Sequence, residues 1–165
     1  MPQLLALRLQ FLPTSPRLLQ EIGVNSTATF LQPLRTMPSK ADLLRARAKK
    51  FGTRVLRFVR TLPRDPAGTT IAYQLARAGS GVSSNYHSAG RARSRAEFIA
   101  RLGVVVDEAD ESVLWLTKAK DSEVAAGTEL EWLLDESRQL RAIFSTALAT
   151  ARRNRDADGG GESNK

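Results

Sequence analysis

One stretch limits the available folds more than any other. Between Ile71 and Ala89, the residues Ile71, Leu75, Ala78, Val82, Asn85 and Ala89 recur in alternating steps of four and three. That period puts all of them on one stripe of an α-helix and cannot line one face of a β-strand. All but Asn85 are apolar. A lone amide in a helical seam lowers stability but selects one register, because a mispaired amide lacks hydrogen-bond partners. Gly79 and Gly81 interrupt the run, each costing about 1 kcal/mol relative to alanine. Packing must return that energy. With Ala76, Ser80, Ser83 and Ser84 they make a side of small residues that lets another helix approach, from within the subunit or from a neighbour.

Three further stripes share the period. The first is Leu44, Ala48, Phe51, Val55, Phe58 and Leu62, introduced by Ser39 as a cap with Asp42 at the positive end of the helix dipole. Leu62-Pro63 ends it, since the residue before proline is pushed out of helical geometry. Arg64 to Gly68 reads as a turn, with Thr69 or Thr70 as the next cap. The second helix, which carries the stripe from Ile71, runs to about Gly90. Ser94 with Glu97 then forms a capping box ahead of Phe98, Leu102, Val105, Ala109, Ser112, Leu116 and Ala119. Thr128 with Glu131 forms another, ahead of Leu130, Leu133, Ser137, Leu140, Phe144, Ala147 and Ala151. Ser112 and Ser137 fall in one layer, where their hydroxyls bond each other or the carbonyls four residues back.

Helices of roughly 23 to 27 residues are about 35 to 40 Å long, and short links make neighbours antiparallel. The expected fold is therefore all-α, an up-down-up-down four-helix bundle over residues 39–153. Residues 154–165 form a polar, glycine-rich tail expected to be disordered. Residues 1–38 form an N-terminal arm expected to be poorly ordered. Pro2, Pro13, Pro16 and Pro33 break it, and its apolar start is too short to span a bilayer and lacks the pattern of a secretory signal. Met37, the only other methionine, lies just ahead of the first helix, so the arm reads as an upstream extension or as a docking arm using Leu4, Leu5, Leu7, Phe11 and Leu12.

The chain has no cysteine, which excludes thiol catalysis, disulfides and cysteine metal sites and favours a cytoplasmic setting. Its 25 Lys and Arg against 17 Asp and Glu give +8, a balance that means little until the charges are placed. The topology places them. The start of helix one, the turn between helices two and three and the end of helix four share one tip, which collects Arg45, Arg47, Lys49, Lys50, Arg91, Arg93, Arg95, Arg152, Arg153 and Arg155. Asp121, Glu123, Glu129 and Glu131 gather at the other, with Asp107, Glu108, Asp110, Glu111, Asp135 and Glu136 nearer the middle. Such a basic tip suits a sequence-independent, salt-sensitive grip on DNA or RNA phosphates. Two alternatives stand beside it: the basic flank of helix one pairing with the acidic flank of helices three and four on a neighbouring subunit, and plain solvation of both.

Gln74, Arg77, Ala78, Gly79, Ser80, Val82, Asn85 and Tyr86, then Ala92, Ser94, Glu97 and Phe98, then Glu108-Ala109-Asp110-Glu111 and Trp115-Leu116, resemble the bacterial four-helix bundle proteins related to the 23S ribosomal RNA intervening-sequence proteins. The resemblance spans about residues 51–153. It implies a small homo-oligomer, usually a pentameric ring. The accessory variability proteins of diversity-generating retroelements are similar in fold, and there the basic ring is associated with nucleic acid and a reverse transcriptase. This chain has Asn85-Tyr86-His87-Ser88-Ala89 where the commoner signature is Asn-Ile-Ala-Glu-Gly, so any role of that glutamate is missing.

Nothing in the sequence converges on catalysis. A di-iron bundle needs two Glu-x-x-His pairs, and the single histidine, His87, follows Ser84 by three residues. Asp107 with Glu111, and Glu108 with Glu111, are carboxylate pairs without a base or nucleophile beside them. No cofactor and no metal are expected. Trp115 and Trp132 sit beside stripe residues, where each either seals the seam or anchors a partner. The expectation is a non-enzymatic, homo-oligomeric binding or scaffold protein with nucleic acid as ligand. The alternative is a protein-protein adaptor that uses its acidic or small-residue faces and has no nucleic-acid role; no membrane partner is expected in either case.

Overall fold

The computed structural model describes residues 37–159, so the expectations for the arm before residue 37 and for the tail after residue 159 lie outside the described residues. Four helices follow one another: α1 (Lys40–Phe58), α2 (Pro66–Ala89), α3 (Arg95–Asp121) and α4 (Thr128–Gly159). There is no strand among the described residues. Each helix packs on its neighbours in the chain and α1 also meets α4, so α1 and α3 are diagonal across the bundle, as are α2 and α4. The four-helix bundle expected from the stripes is the observed fold. No helix among the described residues is long and apolar enough to cross a membrane.

The helix starts follow local chemistry, with three departures from expectation. At α1 the reciprocal cap forms: the Asp42 N–H donates to Ser39 Oγ at 3.1 Å and the Ser39 N–H to the Asp42 carboxylate at 3.3 Å. At α2 the cap is Asp65, whose carboxylate accepts from the Gly68 N–H at 2.7 Å, and neither Thr69 nor Thr70 serves. Pro66 explains this, because a proline lacking its N–H and fixed near helical φ suits the first position, with an Asp before it. At α3 only half of the expected box exists. Ser94 accepts from the Glu97 N–H, but the Glu97 carboxylate takes the Arg93 N–H at 2.8 Å and is gripped by Arg101. At α4 Gly127, with φ of 101°, takes the cap position; its carbonyl accepts from the Glu131 N–H at 3.2 Å, so Thr128 is already helical. Glu131 is left to pair with Lys120 at 2.6 Å.

Helix ends differ more. The last turn of helix one tightens into a 3-10 turn, Val59–Thr61, before Leu62 extends ahead of Pro63. Helix α4 continues to Gly159, past the expected boundary at residue 153.

The core is the meeting of the four stripes, with Phe51, Val55, Leu75, Val82, Leu102, Val105, Leu116, Leu130, Leu133, Leu140 and Phe144 fully enclosed. Phe98 is half-buried at the rim, and Ile99 takes the inward place at the start of α3. Ser112 and Ser137 are fully buried and bond their own helices, to the Glu108 carbonyl at 2.8 Å and the Leu134 carbonyl at 2.9 Å.

The glycines return their cost at the α1–α2 crossing. A Cβ on Gly79 would lie 2.7 to 2.9 Å from the Val55 side chain, and one on Gly52 would lie 2.8 Å from the Gly79 carbonyl oxygen. The two backbones are therefore as close as glycine allows. A Cβ on Gly81 would strike the Glu108 carboxyl group at 2.5 to 2.7 Å, so α3 also uses the small side of α2. Gly79, Gly81 and Ser83 of the small-residue side are thus packed inside the subunit, while Ser84 stays exposed.

Candidate functional site

The fold brings the start of α1, the α2–α3 turn and the end of α4 to one tip. An Arg45 guanidinium nitrogen approaches to 2.9 Å from where a Gly90 Cβ would stand, and Arg95 donates to the Asn154 carbonyl at 3.3 Å. Between Ala89 and Phe98 the surface forms a depression of about 500 Å³ lined by Gly90, Ala92, Arg93, Ser94 and Arg95. Arg91, Arg93 and Arg152 are exposed there, and their side chains make no ion pair among the described residues. Arg153 is exposed and bonds only the Thr150 hydroxyl, at 3.3 Å.

Other members of the expected basic set are occupied or lie elsewhere. Arg45 pairs with Asp42, whose carboxyl is held below its ordinary range chiefly by the Ser39 hydrogen bonds and then by Arg45. Arg47 turns toward α4, where its fork holds Glu136 at 2.7 and 2.8 Å and Gln139 at 2.6 Å. Its charge is spent within the subunit. Lys49 and Lys50 face the side of the bundle, on a groove that the stripes alone did not reveal.

That groove runs along α1 toward the α3–α4 turn. It measures about 870 Å³ and is lined by Ala46, Lys49, Lys50, Thr53, Arg54, Arg57, Phe58, Thr61, Ala126 and Glu129. Lys49, Lys50, Arg54 and Arg57 recur at helical spacing in the sequence, so the signal was present; what was missing was that α1 and α4 meet only slightly and leave a furrow. The Arg54 guanidinium lies 3.6 Å over the Trp132 ring and pairs with Glu129, with Lys50 5.8 Å from the same ring. The Arg54 hydrogen bonds hold the Glu129 carboxyl below its ordinary range. Trp115 has Lys118 at 4.2 Å. Both tryptophans are half-buried against the core, each with a cation on its face.

The tip opposite the basic one is mixed rather than acidic, since Arg54 and Lys120 reach Glu129 and Glu131 there. The separation of charge is lateral. Helix α1 carries Lys40, Arg45, Arg47, Lys49, Lys50, Arg54 and Arg57 against Asp42 alone, whereas diagonal α3 carries Asp107, Glu108, Asp110 and Glu111 in succession. Arg77 takes Glu111, and Arg141 takes Asp110 at 2.6 Å. Glu108 leans on Gly81 with Oε2 sealed from solvent and without a hydrogen-bond partner. Burial pushes its carboxyl up, helped by Glu111 and Asp107 and opposed by Arg77.

Asn85 is half-buried and bonds nothing among the described residues, so it is no buried register pin. Its neighbour Tyr86 instead reaches the core, with its ring 4.8 Å from that of Phe144. No group of three or more metal-ligating side chains occurs among the described residues.

Compared with known proteins, the fold matches a solved protein of unknown function from the S23 ribosomal protein family of Bacteroides thetaiotaomicron, with a TM-score of 0.62 and 22% identity over 67% of this chain and 99% of that one. At that identity the likeness shows the shared helical fold. No protein-family model matches the chain, and no curated protein does.

Proposed function

We propose that this bundle belongs with the proteins related to the 23S ribosomal RNA intervening-sequence proteins and acts as a non-enzymatic, homo-oligomeric scaffold. It grips the backbone of DNA or RNA without reading sequence. The observation that carries this reading is the gathering of exposed Arg91, Arg93 and Arg152 at one tip, without acidic partners among the described residues, whereas Arg47 and Arg54 on the side of the bundle each hold a carboxylate. Unpaired arginines suit phosphate oxygens, and an oligomer multiplies such contacts. Trp115 and Trp132 each carry a cation on the ring, and the exposed Tyr73 stands near the start of α2, away from the basic tip, which favours backbone contact over stacking there. The family of the solved neighbour, a ribosomal protein family, agrees with an RNA ligand.

The test is fluorescence anisotropy with unrelated DNA and RNA oligonucleotides across a salt series. Binding should weaken steeply with salt and fall at least tenfold when Arg91, Arg93 and Arg152 become Ala. Absence of binding at low salt would sink the nucleic-acid reading and leave the adaptor alternative, with the acidic side of α3 as its surface.

A further inference from the structure

The outward sides of α1 and α3 are opposite in charge and alike in plan. At 3.6 residues per turn, Ala46, Lys49, Lys50, Thr53 and Arg57 fall within an arc of about 100° on α1, and Val104, Asp107, Glu111 and Leu114 within about 80° on α3. The first set is a basic furrow with an apolar floor of Ala46, Phe58 and Ala126. The second is a ridge on which Asp107 is the free carboxylate, Glu111 already holding Arg77, and whose two large apolar side chains, Val104 and Leu114, are 43% and 48% exposed. Neither Asp107 nor Lys49, Lys50 and Arg57 has an ion-pair partner among the described residues. The furrow from Ala46 to Thr61 is about 22 Å long and the ridge from Val104 to Leu114 about 15 Å, so the ridge fits within it.

We infer that the α3 ridge of one copy seats in the α1 furrow of the next, with Asp107 among Lys49, Lys50 and Arg57, and Val104 and Leu114 on the apolar floor. This rests on the homo-oligomeric part of the proposed function and supplies its contact. Because α1 and α3 are diagonal, each copy offers its furrow on one side and its ridge on the other. The contact joins unlike surfaces, so it propagates until rotation closes a ring or a filament grows. The apolar floor favours a helix over nucleic acid as occupant, and the ridge is present at the same concentration as the furrow.

Two full-length variants test it: Lys49→Glu with Arg57→Glu, which spoils the furrow, and Asp107→Lys with Leu114→Lys, which spoils the ridge. Masses come from sedimentation velocity, with circular dichroism confirming that both keep the helical signal and melting transition. Wild type should assemble and each variant should be monomeric. An equimolar mixture should assemble again, to at least a one-to-one dimer, because it holds one intact furrow and one intact ridge and because its reversed charges also match. Variants that assemble like wild type, a mixture that stays monomeric, or a furrow variant that loses nucleic acid while keeping its mass would each overturn the contact. A monomeric wild type that captures an acidic amphipathic peptide through the furrow would also overturn it. Assembled wild type that binds no nucleic acid sinks the basic-tip reading alone and supports this contact, whereas monomeric wild type that binds nucleic acid does the reverse.

Discussion

Helix α1 meets its two neighbours in opposite ways. Against α2 the backbones close on each other through Gly52 and Gly79, with no room for a methyl group and no charge at the crossing. Against α4 the contact is slight and polar, with the Arg47 fork on Glu136, the Arg54 pair with Glu129 and an open furrow beside them. One seam is shut by shape, and its chemistry is fixed by what does not fit. The other is held by charge and keeps a surface available, so α1 anchors the fold with one side and presents chemistry with the other.

The sharpest way to break this contrast is to add volume to the closed seam. Gly52→Ala and Gly79→Ala should each destabilise the bundle by about 1 to 3 kcal/mol in urea unfolding, although in an open helix the same change gains about 1 kcal/mol. A neutral or stabilising result would show that the crossing has slack. On the polar seam, Glu136→Ala leaves the Arg47 fork half-buried without its main acceptor and should cost about 1 to 2 kcal/mol, below the fully buried case because Arg47 still reaches water. Arg54→Ala should cost less, about 0.5 kcal/mol from the exposed pair with Glu129, plus whatever Trp132 loses when it is uncovered.

Two carboxyls with opposite shifts refine the picture further. The Glu108 carboxyl is raised in the folded state, so stability from its protonation is fully present below its unfolded value near 4.5 and is lost as pH rises through the folded value. Glu108→Gln should therefore melt higher than wild type at pH 7, with the gap closing as pH falls toward 4.5. The Glu129 carboxyl is lowered, so the stability from its pairing with Arg54 is present above 4.5 and lost as pH falls through the folded value. Glu129→Gln should melt lower than wild type at pH 7 and match it in strong acid. Thermal melts from pH 7 to 3 check both signs.

The helices and their inward sides were legible in the sequence because apolar spacing encodes direction. Leu75, Val82, Leu102 and Phe144 are enclosed as their period requires. Phe98 and Asn85 are half-buried although their spacing points inward, because neighbours take the core positions: Ile99 at the start of α3 and the Tyr86 ring against Phe144. The starts of α2 and α4 escaped because several polar residues compete for one cap, and Pro66 and Gly127 decided the outcome. Of the candidate site, the gathering at the tip followed from topology alone. The division of its arginines into free and occupied did not, since the partners of Arg47 lie 89 and 92 residues away in the chain.

The glycine crossing carries a last consequence for how such a chain can vary. A Cβ on Gly52 would meet the Gly79 carbonyl oxygen, which no substitution can trim, whereas one on Gly79 would meet the Val55 side chain, which a substitution on the facing helix can remove. Position 52 should behave as a frozen letter in a randomised library and position 79 should vary only together with position 55, while the outer turns of α1 drift freely and can be rewritten for a new partner without disturbing the frame.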